Sequence, residues 1–148
     1  MKYMVLMYAD PAATAAMTAE QRAEVFARHE ALHRDLAASG ELLNGAGLAY
    51  PADTTTLRPA RKDGKDGKDG KDGGDGGDGG AVASDGPLTA AAEQLTAYYV
   101  LDCASPERAR EIAGRVVDFH VVAVEVRPVH DSFGMGGAEG TGRSDGTG

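Results

Sequence analysis

Apolar positions along the chain change their period several times, and each change marks an element. From Lys2 to Tyr8 almost every side chain is apolar (KYMVLMY), and the run stops at Asp10-Pro11. Its shortness and its Tyr, Met, Val and Leu content favour a strand over a helix. A strand apolar on both faces needs cover on both sides of its sheet. Between Thr18 and Ser39 the period becomes helical: Val25, His29, Leu32 and Leu36 fall on one stripe, Phe26 lies at its edge, and Glu20, Glu24, Arg34 and Asp35 face the other way. Thr18 is the expected N-cap, Gln21 completes a capping box with it, and Gly40 stops the helix.

The rest of the chain is read the same way. Glu41 to Ala49 and Thr54 to Arg58 read as strands joined around Tyr50-Pro51, and Ala81 to Ser84 and Gln94 to Cys103 as two more. Pro106 to Val117 reads as a second helix with Ser105 as cap and Pro106 at its first position. Val121 to Val129 alternates, Val122, Val124 and Val126 on one face against Glu125 and Arg127 on the other. This order predicts an α+β fold, a ferredoxin-like antiparallel sheet with two helices on one face, of the dimeric α+β barrel type. With both helices on one face, the apolar open face is larger than a monomer tolerates, so a homodimer packed sheet to sheet is expected.

Composition divides the chain. The stretch from Arg61 to Gly80 repeats glycine every third residue from Gly64 to Gly79 and holds five Lys or Arg against six Asp. It lacks the proline and length of a collagen helix, and its aspartates recur every third residue where an EF-hand loop needs alternate positions. One GGDGGD stretch begins like a calcium-binding nonapeptide, but Gly80 stands where that repeat needs an apolar residue. The tract is therefore expected to be a solvated, flexible insertion, an expanded turn between two strands. A second glycine-rich segment, residues 131–148, is expected to be a disordered tail, leaving a domain of residues 1–130 interrupted at 61–80. Without both segments nine basic residues face fourteen acidic ones, a net −5 of the chain's −8. Such a surface disfavours nucleic acid and anionic membranes as partners. No run approaches the roughly 18 apolar residues of a membrane span, and MKYMVLMYAD is too short in apolar residues for a signal peptide. With Cys103 as the lone cysteine no intrachain disulfide forms, and a cytoplasmic protein is expected.

Two places invite chemistry. His29, at the centre of the apolar stripe, has the position and the titration range for proton transfer, or else is a satisfied core histidine. His29, Glu30 and His33 also spell HEALH, a match to the HExxH pattern that binds zinc through two histidines one turn apart, although no third ligand is evident and no metal is assigned. Asp85-Gly86-Pro87 reads as a rigid turn whose carboxylate is able to orient a histidine. Cys103, Tyr98 and Tyr99 read as strand residues packed in the core, and His130 and Asp131 adjoin the unanchored tail.

The opening KYMVLMY, His29 within ARHEAL, SGELLNGAGLAYP, the SDGP turn, EQLTAYYVLD and the closing AVEVRPV together resemble the YCII-related (DGPF) domain family, in that family's order and over nearly the whole domain. The resemblance implies a dimeric ferredoxin-like α+β fold and a catalytic pair that falls on His29 and Asp85. Members are mostly uncharacterised; a few are linked to elimination of chloride from chlorinated rings, and some are fused to sigma factors. Where the family usually reads DGPFAETKEQLGGYY this chain reads DGPLTAAAEQLTAYY, so that Ala90 and Ala92 replace a Glu and a Lys, Thr96 and Ala97 replace paired glycines, and Glu93 is kept. Three readings stand at this point. One is a cofactor-independent lyase or isomerase in which His29 moves a proton of a small-molecule ligand and Asp85 orients it; another is a non-catalytic dimeric binding or regulatory module, with a sigma factor as one candidate partner; the last is a metal-dependent enzyme through His29 and His33.

Overall fold

The computed structural model describes residues 1–60, 80–117 and 119–134; the tract at 61–79 and the tail from 135 lie outside them. Two units make up the chain, Met1–Leu48 together with the chain from Ala91 onward, and Ala49–Ala90.

The first unit carries the sheet. Strand β1 (Lys2–Ala9) is followed by a short helix α1 (Pro11–Ala15), the long helix α2 (Ala19–Ser39) and strand β2 (Leu42–Gly47); β5 (Gln94–Asp102), α3 (Pro106–Val117) and β6 (Ala123–Pro128) complete it. Sheet order is β2-β5-β1-β6, and every neighbouring pair is antiparallel. This is the ferredoxin-like α+β arrangement expected. Helix α2 begins as the capping box predicts: the Thr18 side chain accepts from the Gln21 N–H at 3.1 Å, and the Gln21 side chain accepts from the Thr18 N–H at 2.9 Å. It ends at Gly40, whose φ of 77° only glycine adopts freely. Helix α3 starts at Pro106 with the Ser105 hydroxyl accepting from the Arg108 N–H at 3.2 Å. Helix α1 was not foreseen, although its signal was present. Asp10 accepts from the Ala12 N–H at 3.0 Å and Pro11 opens the first turn, so the Asp-Pro pair that ends β1 also starts a helix.

One face of β1 builds the core. Tyr3, Val5 and Met7 pack with Leu32 and Leu36 of α2, Leu101 of β5, and Ala109, Ile112, Ala113 and Val116 of α3. The alternate residues Met4, Leu6 and Tyr8 are half-buried on the other face, where Leu6 lies between Tyr98 and Glu125 of the flanking strands. Both helices cover the first face. Burying Leu32 and Leu36 completely contributes roughly 1.5–3 kcal/mol each, which is what fixes the rotation of α2 about its axis.

The second unit is a hairpin in which β3 (Thr55–Pro59) and β4 (Ala81–Asp85) pair antiparallel from Thr55↔Asp85 to Pro59↔Ala81, after a 3₁₀ turn at Pro51–Asp53. Sequence periodicity alone had put these segments in line as strands; they form a sheet of their own apart from the four-stranded one. Only Thr56 is buried on them, so neither strand has the apolar face that joining a packed sheet requires. The pairing continues to Ala60, whose N–H donates to the Gly80 carbonyl at 2.7 Å.

Helix α3 is tied by charge to Glu41, the residue before β2. Arg108 grips Glu41 with two parallel bonds, Nε to Oε2 at 2.9 Å and Nη2 to Oε1 at 2.8 Å, and Ser39 donates a further 2.8 Å bond to Glu41 Oε1. These bonds, that from Arg108 foremost, hold the Glu41 carboxyl below the usual carboxylate range, against the opposing effect of burial. We expect Arg108→Ala to cost about 1 kcal/mol, a figure near the top of the range for surface pairs because the contact is bidentate and Glu41 is mostly shielded. Differential scanning calorimetry should read this as a Tm lower by about 5 °C. Because the folded-state pKa of Glu41 is depressed, the stabilisation is complete above its ordinary value of 4.5 and fades as pH falls through the folded value. The gap between wild type and variant should accordingly be full at neutral pH and close in acid.

Candidate functional site

Helical spacing places His29 one turn beyond Val25 on the packed stripe and His33 a further turn on, at the exposed margin. Across from them stands Tyr99 of β5, paired with Val5 on one side and Gly45 on the other, its ring only 4% exposed. A buried phenol needs a partner for its hydroxyl. Here the hydroxyl meets two: Nδ1 of His29 at 2.6 Å and Nε2 of His33 at 2.9 Å. Phe119, in the turn after α3, packs on the His29 ring with centroids 4.4 Å apart. The expected core reading of Tyr99 is correct for its ring and misses its hydroxyl. The signal that could have revealed it is the choice of Tyr over Phe at a buried strand position opposite a histidine-bearing stripe.

A phenol carries one proton, so it donates to one ring nitrogen and accepts from the other. Burial pushes the Tyr99 pKa up to about 12, which keeps that proton on the hydroxyl. His29 moves the opposite way: burial first, and then the charge of a protonated His33, hold it below the ordinary histidine value. At neutral pH its imidazole is uncharged, and one nitrogen is already engaged by Tyr99. Among the described residues Nε2 has no protein partner.

A cavity of about 630 Å³ opens beside this cluster. His29, His33 and Tyr99 share its wall with Met17, Phe26 and Phe119, and its described lining contains no Asp, Glu, Lys or Arg. Phe26 stays exposed on α2 although it borders this space. His120, also in the lining, has a φ of 59°, and strain of this kind gathers at functional sites. Neither His120 nor Phe119 was singled out from the sequence, because both lie in a turn without periodicity.

Asp85 is the last residue of β4 in the hairpin unit, exposed, on a turn built as its sequence suggested. Gly86 there has a φ of 97°, its N–H donates to the Thr54 carbonyl at 2.7 Å, and its carbonyl accepts from Thr56 Oγ1 at 2.8 Å. The carboxylate is thus carried on a stiff bend. Of the HEALH residues, the structure brings His29 and His33 together as the helical spacing requires and leaves Glu30 exposed. The ring nitrogens they turn toward each other converge on the Tyr99 hydroxyl. Among the described residues no three His, Cys, Asp or Glu side chains gather as a metal site. His130 and Asp131 pair with each other at 2.8 Å, fully at the surface. Cys103 is buried in the core, where burial raises its thiol pKa and leaves it unreactive.

The Tyr99 ring lies over Gly45, where a Cβ would stand 2.8 Å from its Cδ1 and 3.1 Å from the Tyr98 carbonyl oxygen. Gly45→Ala should therefore displace the ring and break its bonds to both histidines. Gly47→Ala is the control, since a Cβ there meets nothing within 4 Å. In a ¹H–¹⁵N spectrum the imidazole signals of His29 and His33 should move in Gly45→Ala and stay in Gly47→Ala, with a stability loss of about 1–3 kcal/mol in the former alone.

No curated protein matches the chain. Residues 1–131 match the YCII-related domain, a span that includes His29, His33, Asp85 and Tyr99. The chain belongs to the YCII-related domain family.

Proposed function

We propose that the chain is a small cofactor-independent enzyme of the lyase or isomerase type. In this reading Nε2 of His29 takes a proton from a small, uncharged and largely apolar substrate, while Tyr99 holds Nδ1. The observation that carries it is the state of His29: an imidazole kept neutral by burial and fixed through Nδ1, at the wall of a cavity large enough for a ring compound. A neutral base in an apolar site suits abstraction of a proton from carbon, since neither base nor substrate must shed a charged hydration shell. The uncharged lining disfavours strongly ionic substrates. Among the described residues no helix is long and apolar enough to cross a membrane. A reducing cytoplasm suits the single buried thiol.

A second reading, a non-catalytic dimeric binding module, has its own support. The same lining offers no carboxylate or cation to assist chemistry, and Ala90 and Ala92 are small and apolar. In both readings the chain pairs with a second copy through the open face of the sheet, where Met4, Leu6 and Tyr98 form an apolar centre beside the Tyr8 to Glu125 bond of 2.6 Å. Sedimentation should give twice the chain mass of 15.2 kDa, and Leu6→Asp should reduce it to one chain. A wild-type monomer at micromolar concentration would remove this part of the proposal.

The two readings separate with 5-nitrobenzisoxazole, a neutral aromatic compound whose ring opens on loss of one carbon-bound proton. Wild type should open it with saturation, and His29→Ala should reduce kcat/KM by about 10²-fold or more. The rate should rise from acid to a plateau with its midpoint below 6.5, because the folded-state pKa of His29 is lowered. A wild-type rate equal to that of His29→Ala favours the binding module.

A further inference from the structure

We propose that His29, Tyr99 and His33 form a proton relay that links the cavity to solvent. It deepens the acid–base reading and rests on it for its purpose, while its hydrogen-bond logic stands on the cluster alone. Three observations carry it. One hydroxyl touches a ring nitrogen of each histidine, at 2.6 Å and 2.9 Å. His29 is half-buried and lines the cavity, whereas His33 is exposed. Each imidazole has its second nitrogen without a protein partner among the described residues, so the chain of bonds has two open ends.

The transfers balance. In the starting state His29 carries its proton on Nδ1 and donates it to the Tyr99 oxygen, Tyr99 donates its own proton to Nε2 of His33, and His33 carries a proton on Nδ1. When Nε2 of His29 takes a proton from the substrate, the Nδ1 proton of His29 passes to the Tyr99 oxygen as the Tyr99 proton passes to Nε2 of His33. His33 then releases its Nδ1 proton to water. One proton has entered at His29 and one has left at His33, all three groups are neutral again, and every hydrogen bond in the chain has reversed direction. In this reversed state Nε2 of His29 bears a proton, ready to return it to an intermediate, with a water proton entering at Nδ1 of His33 to reset the relay. A phenol that holds its proton firmly suits this role, because it passes protons in concert without standing as phenolate. His120 is the remaining titratable group in the described lining, and no carboxylate, Lys or Arg there competes for either open end. Gly45 permits the Tyr99 ring to lie where both bonds form.

The test reads tautomers, which a purely structural Tyr99 would leave uncoupled. With ¹⁵N-labelled histidine at pH 8, long-range ¹H–¹⁵N spectra of the wild type should show His29 Nδ1 and His33 Nε2 at shifts intermediate between protonated and unprotonated ring nitrogen, each ring exchanging between its two tautomers. In Tyr99→Phe both rings should move to the Nε2–H form that free histidine prefers. His33→Gln, a surface change that keeps a group able to accept or donate, should alter the His29 tautomer ratio without lowering Tm. Fixed, unaveraged tautomers in the wild type, or a His29 ratio unchanged in both variants, would overturn the relay. These outcomes are independent of the 5-nitrobenzisoxazole reaction: averaged tautomers with no elimination retain the relay and remove the enzyme, and elimination with fixed tautomers does the reverse.

Discussion

A single hydroxyl, carried on an inner strand of the sheet, organises the cavity side of the first unit. Tyr99 occupies a core position where phenylalanine would pack as well, and its oxygen must be satisfied inside the protein. Two imidazoles one helical turn apart provide the bonds. The consequence reaches in three directions. Helix α2 is held in rotation as well as by its leucines, β2 must present a glycine opposite the ring, and His29 is left with one committed nitrogen and one open one.

The rest of the fold keeps that arrangement in place. Helix α2 is pinned at its start by the capping box, at its end by Gly40, and on its inner face by Leu32 and Leu36. The Arg108–Glu41 pair ties the residue before β2, the strand that carries Gly45, to α3, whose following turn supplies Phe119 against the His29 ring. In the proposed reading, a cavity with an apolar wall and histidines as its titratable groups, together with Tyr99, serves neutral acid–base work on a neutral molecule. In chemistry of that kind the scaffold contributes mainly orientation and exclusion of water. The hairpin unit, by itself, carries Asp85 at the end of β4 on a stiff turn.

Much of this was legible in the residues. Both long helices appear within the bounds that Thr18, Gly40, Ser105 and Pro106 set, because caps act through bonds spanning three or four residues and leave a local signature. Strands β1, β5 and β6 follow from apolar runs and alternation. Segments with weaker patterns were read less well: β3 and β4 are strands, as their composition suggests, but nothing in so few apolar residues says which sheet they enter. Helix α1 escaped because five residues are too short to show a period. His29 was found through its place on an apolar stripe, and His33 through its spacing from His29.

By itself, then, the sequence determined the strands, the two long helices and their caps, the stripe that turns His29 inward and the family to which the chain belongs, all of which depend on neighbours within a few turns or on blocks in a fixed order. Only the tertiary structure decided that the hydroxyl of Tyr99 joins His29 and His33 across 70 and 66 residues, that Gly45 makes room for it, and that a cavity without carboxylates or cations in its described lining opens beside the three. The physical reason is that strand pairing chooses which residue stands opposite which. Register between β1, β5 and β2 is set by the sum of many side-chain contacts on two faces, and no local stretch of the chain contains that sum.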